Sequence, residues 1–131
     1  MDDSPSVVAV LLPQDSSSTG IGEASAYLIA ACRENVTSVI IKTEMFMAGD
    51  APSVTIRIGN EPAAKSNWVR SSDYKAVGLW NGKDAIPFLK SLKDDEKMFL
   101  RLEDRNRVEA SFNLSRVSEV VELISQKCKW R

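Results

Sequence analysis

The sequence contains no histidine. That removes the commonest general base and the commonest transition-metal ligand. A Ser-His-Asp or Cys-His site cannot be assembled within one chain. Zinc would have to make do with two cysteines and carboxylates at unsuitable spacing, so no metal and no cofactor is expected. Charge of one sign is also missing: 17 Lys and Arg stand against 18 Asp and Glu, mixed along the chain, for a net charge of −1. A nucleic-acid binder needs a basic patch to neutralise phosphates, and an anionic membrane surface attracts the same kind of patch; neither partner is expected. No apolar run approaches the roughly 18–20 residues of a membrane span. No signal peptide is recognisable, and Met1-Asp2-Asp3-Ser4-Pro5 reads as an abrupt start behind a removed segment.

What is present is ordinary globular material. The 131 residues, 44% hydrophobic and 27% charged, suit one domain over residues 1–131 with a real core. The two cysteines, Cys32 and Cys128, are an even count that fits a disulfide; two buried free thiols are the alternative. There is no Cys-x-x-Cys spacing for a catalytic pair.

Hydrophobic periodicity gives many short strands. Residues 6–12 (SVVAVLL) read as a buried strand stopped by Pro13, and residues 14–22 (QDSSSTGIG) as a flexible polar loop. Residues 26–32 are a strand, and Glu34-Asn35 a hairpin turn. Residues 37–47 form a long strand with Val39, Ile41, Thr43, Met45 and Met47 on one face and Lys42 and Glu44 on the other. After a turn at residues 48–52, residues 53–58 (SVTIRI) alternate cleanly. These two strands are expected to pair antiparallel, bringing Lys42 or Glu44 near Arg57 on an outer face.

Residues 67–70 read as a short edge strand around Trp68, and residues 75–80 as another strand. Ala85, Phe88, Leu89 and Leu92 mark a short amphipathic helix with Asp84 as N-cap and Pro87 in its first turn. Residues 97–102 and 107–114 form a hairpin, with Val108, Ala110, Phe112 and Leu114 inward. Val117, Val120, Val121, Ile124 and Cys128 form one stripe of a second helix, N-capped by Ser115. The fold class is mainly β: a β-sandwich or curled antiparallel sheet with two short helices on an edge or end, α+β by strict count.

Motifs that carry chemistry are scarce. Gly20-Ile21-Gly22 lacks the lysine and helix of a phosphate loop. Asn35-Val36-Thr37 and Asn113-Leu114-Ser115 match a glycosylation pattern that arises easily by accident. Asp94-Asp95-Glu96 reads as a solvated turn rather than a cation site, and Glu103-Asp104 at a hairpin tip has no convergent geometry. Trp68 stands among Asn67, Arg70, Ser71, Ser72 and Asp73, so one ring edge is expected to face solvent. Aromatic-plus-arginine company of this kind suits an interface anchor. Thr43, Glu44, Arg57, Trp68 and Ser71 are therefore the candidate partner-binding residues, on an outer face.

The order of several short elements carries a resemblance. They are Met1-Asp2-Asp3 before an apolar strand, residues 28–35 (LIAACREN), residues 37–47, residues 54–59 (VTIRIG), Trp68 with Ser71, Phe112-Asn113-Leu114, and the closing Cys128-Lys129-Trp130. In this order the chain resembles the VasI-like family of accessory proteins encoded with bacterial type VI secretion systems, and related small periplasmic proteins. The resemblance implies export to the periplasm, a Cys32–Cys128 disulfide, and an envelope role without known catalysis. The expected partner is an envelope or secretion-system protein. An inhibitor or immunity-type protein that blocks a hydrolase is the alternative, with residues 14–22 as its probing loop. An enzyme using carboxylates or lysine would need convergent polar groups that the sequence does not show.

Overall fold

A computed structural model describes residues 6–13, 15–18, 26–43, 49, 52–71, 75–104 and 107–130. Among the described residues, ten strands form two five-stranded antiparallel sheets. Their ranges are β1 Ser6–Leu11, β2 Asp15–Ser18, β3 Ala26–Arg33, β4 Val36–Thr43, β5 Ser53–Ile58, β6 Ala64–Asn67, β7 Val69–Arg70, β8 Ala76–Leu79, β9 Lys97–Glu103 and β10 Arg107–Asn113. Helix α1 spans Gly82–Ser91 and α2 spans Val117–Cys128. The first sheet runs β1-β3-β4-β8-β7, the second β2-β10-β9-β5-β6. The chain is mainly β with two short helices, as its periodicity predicts.

Period-two alternation builds the inner faces. In the first sheet Leu28 lies opposite Ile41 and Ala30 opposite Val39. In the second, Val54 lies opposite Leu102, Ile58 opposite Met98, and Ala110 opposite Leu100. All of these are buried, and both sets belong to one apolar cluster. Glu34 (φ 51°) and Asn35 (φ 65°) form the predicted two-residue β3–β4 hairpin. Positive φ at both positions matches the right-handed twist of the flanking strands.

Several expectations change. The strand at residues 53–58 does not pair with that at residues 37–43. Instead β5 pairs with β6 and β9, while β4 pairs with β3 and β8. Lys42 and Arg57 therefore lie in different sheets. Alternation dictates which face of a strand is buried but not which strand lies beside it, and both strands bury one face against the other sheet. Strand β1 is an edge strand, not a buried one: Val7 and Leu11 pack inward while Val8 and Val10 are exposed. Part of the expected polar loop is strand, since residues 15–18 pair with β10. Residues 19–22 of the expected loop, 44–48 of the expected long strand and the turn after it, Glu44 among them, and 105–106 of the expected hairpin tip lie outside the described residues.

The helix caps also differ. Asn81, not Asp84, caps α1: its Oδ1 accepts from the Asp84 N–H at 3.0 Å. Pro87 is thereby the sixth helical residue, beyond the first turn. Helix α2 begins after Arg116, which adopts the left-handed conformation and gives no side-chain cap. Asp94 does the capping from outside, accepting from Ser118 N–H at 2.7 Å and from Ser118 Oγ–H at 2.6 Å. These hydrogen bonds hold the Asp94 carboxyl below its ordinary value. The acidic turn thus ties the segment before β9 to the start of α2.

Both helices sit at the end of the sheets where β3 closes and β4 begins. Cys128 at the end of α2 is disulfide-bonded to Cys32 in β3, with Cα atoms 5.8 Å apart. Two residues on, Trp130 Nε1–H donates to buried Thr37 Oγ1 at 2.7 Å, and Lys90 of α1 lies 5.8 Å from the Trp130 ring. The closing Cys-Lys-Trp is a clasp that locks the C-terminal helix to the first sheet.

Candidate functional site

The chain crosses from one sheet to the other at Trp68. Strand β6 is the outer strand of the second sheet and β7 that of the first, and Trp68 alone separates them. Its backbone N–H donates to Pro52 O, which extends the β5–β6 pairing by one step before the chain passes to β7. The side chain turns inward and is 2% exposed, not half-solvated as its polar neighbours suggest. Asn67 beside it is exposed, and the ring, the largest apolar body in the segment, takes the inter-sheet space. The indole Nε1–H donates to Ser66 Oγ at 3.2 Å, and Phe88 of α1 meets the ring edge-on at 5.5 Å.

This crossover leaves a groove of about 520 Å³ beside β6, β7 and α1. Its apolar wall comprises Ile56, Ile58, Trp68, Leu79 and Phe88, with Val69 and Trp80 toward the opening. Trp80 is 39% exposed and held in place: its Nε1–H donates to Val69 O at 2.9 Å. The ring lies on Gly78, where a Cβ would come within 2.6 Å of Trp80 Cε2. Only glycine permits that approach. The rim is polar. Asn81 and Ser66 are already engaged as described, and Ser91 Oγ–H donates to Phe88 O at 2.6 Å. Among the described residues lining the groove, the charged ones are Glu61 and Asp84, both carboxylates. Glu61 is bound to Lys93 at 2.8 Å, and that contact raises the Lys93 ammonium above its ordinary value. A turn through Gly59 (φ 58°) carries the chain from β5 to this rim.

Of the five residues proposed from sequence, Glu44 lies outside the described residues, and the other four are not brought together on one face. Thr43 is buried at the end of β4, its N–H bonded to Lys75 O. Ser71 is nearby in the same sheet, its N–H donating to Ala76 O and its Oγ accepting from Ala76 N–H. Arg57 projects from the second sheet, opposite Phe99. Trp68 lies between the sheets. Of these four, Trp68 lines the groove. Trp80, missed as a site residue, shows a sequence signal only in retrospect: an aromatic two residues after a strand glycine. Among the described residues no three Cys, Asp or Glu side chains group closely enough to hold a metal ion. Among the described residues no helix is long and apolar enough to cross a membrane.

Fold and site define a disulfide-closed β protein with an aromatic groove. Over residues 3–130 the chain matches the family model described as type VI secretion system VasI, EvfG, and it belongs to that family. It is thus a type VI secretion-associated protein. Neither a curated protein nor a solved structure matches it. Family and disulfide together suggest an envelope or exported protein.

Proposed function

We propose that this protein is a non-catalytic accessory component of a type VI secretion system that works in the periplasm by holding another protein of the envelope or of the secretion machinery. The observation that carries the reading is the disulfide across 96 residues in a chain of this family. Such a bond persists in an oxidising compartment and is rare in the reducing cytosol. The groove supplies a surface for the partner: an apolar concavity of binding-site size with a partly exposed tryptophan at its mouth.

The test is affinity capture from the periplasmic fraction of cells expressing the secretion system, comparing the native chain with Trp80→Ala. Capture of a component encoded with the secretion system, lost in the variant, is the expected result. Equal capture by both chains would remove the groove from the account, and recovery of the protein only from the cytosol would remove the periplasmic role.

A further inference from the structure

We infer that the groove receives an extended segment of the partner protein, one in which a bulky apolar residue stands next to Lys or Arg. This deepens the proposed accessory role and rests on it. Depth and rim differ in chemistry. At depth, Ile58 and Trp68 are buried and Phe88 half-buried, so an inserted group meets hydrocarbon and ring. One face of Trp80 rests on Gly78, which leaves the other for a ligand. At the rim, Ser66 Oγ, Asn81 Oδ1 and Ser91 Oγ–H each already make one hydrogen bond within the chain. The Asp84 carboxylate has no hydrogen-bond or ion-pair partner among the described residues. Glu61 shares Lys93 in a contact where both side chains are 57% exposed, open to exchange for an incoming cation. Both lining charges are negative, so charge complementarity selects a cationic neighbour for the apolar anchor. Strand β6, at the outer margin of its sheet with all four residues exposed, offers a backbone edge beside the groove. An extended chain pairs with such an edge and sends alternate side chains to one side.

The experiment selects binders from a random dodecapeptide phage library on the oxidised full chain, with parallel selections on Trp80→Ala and Asp84→Asn. Both positions are exposed, and thermal melts verify that the variants fold. Enriched peptides should place Leu, Ile, Phe or Trp beside Lys or Arg. Trp80→Ala should weaken the best of them by about 30-fold or more, the loss typical of an aromatic anchor. Asp84→Asn should weaken them by no more than about 5-fold, as for a solvent-exposed ion pair, and relax the preference for a basic residue. No enrichment over the Trp80→Ala background, or enriched peptides without a basic residue, would overturn the inference. So would saturable binding of N-acetylglucosamine tetramers that perturbs Trp80 fluorescence, which would assign the groove to a glycan. None of these failures touches the secretion role, which stands or falls on the compartment and redox state of the protein.

Discussion

Across the outer face of the first sheet, the strand register aligns Val10, Ile29, Ile40, Gly78 and Val69 in one continuous row. Across the outer face of the second, it aligns Thr55, Arg101 and Glu109, with Arg57, Phe99 and Ser111 in the row beside them. The inner faces of the two sheets are alike; the outer faces are opposite. In the second sheet the charges answer one another. Arg101 donates to Glu109 at 3.0 and 3.2 Å, and Arg107 lies 3.6 Å from the same carboxylate. Such a face is content in water. On the first, Val8, Val10 and Val69 are exposed, and the row ends at Val69, which with Trp80 lies at the mouth of the groove. Arginine drew attention to the second sheet at the sequence level, yet the apolar surface that water solvates poorly belongs to the first. The first sheet also carries the disulfide and the Trp130 clasp.

The comparison can be broken most forcefully through the clasp. Replacing Cys32 and Cys128 by Ser, or adding reductant, should lower stability by up to about 4–5 kcal/mol in the chain-entropy model. A melting temperature unchanged by reductant would contradict the tether. Next in size, Trp68→Ala should cost about 3–5 kcal/mol as a buried aromatic truncation, read by urea denaturation. Arg57→Ala, on the outer face of the second sheet, should stay within about 0.5 kcal/mol in the same experiment. Equal costs would erase the distinction between inter-sheet core and solvated face.

Arg101→Ala should cost less than about 1 kcal/mol, with the loss shrinking at high salt, because its ion pair with Glu109 is partly exposed. A pH-dependent effect belongs to Asp94→Ala. The folded-state carboxyl is held below its ordinary 3.8 by Ser118. Its contribution is therefore present above the unfolded carboxylate value and is lost as pH falls through the lowered folded value. Melts should show a deficit of roughly 2–5 °C at neutral pH, as for a lost helix cap, that closes below about pH 4. A deficit that persists in acid would mean that Asp94 acts otherwise.

Much of this architecture is legible in residue patterns. The inward sets of β3, β5, β9 and β10, the apolar stripe of α2 and the Glu34-Asn35 turn all follow from local rules. Local rules stop at neighbours. The pattern of residues 53–58 is the same whether they pair with β4 or with β9. Trp68 looked half-exposed because polar residues surround it in sequence, whereas its burial depends on a crossover between sheets that no periodicity encodes. Likewise Asp94 caps a helix that begins more than twenty residues later, a contact set by tertiary placement. The groove was invisible for the same reason: its walls come from β5, β8 and α1, and only the crossover assembles them.

The central claim, a disulfide-closed secretion-system protein outside the cytosol, is tested most directly by intact mass after thiol alkylation of protein taken from its native compartment. The account predicts an unalkylated chain about two daltons below the reduced mass, recovered from the periplasmic fraction. Two alkylated cysteines in folded protein recovered from the cytosol would contradict it.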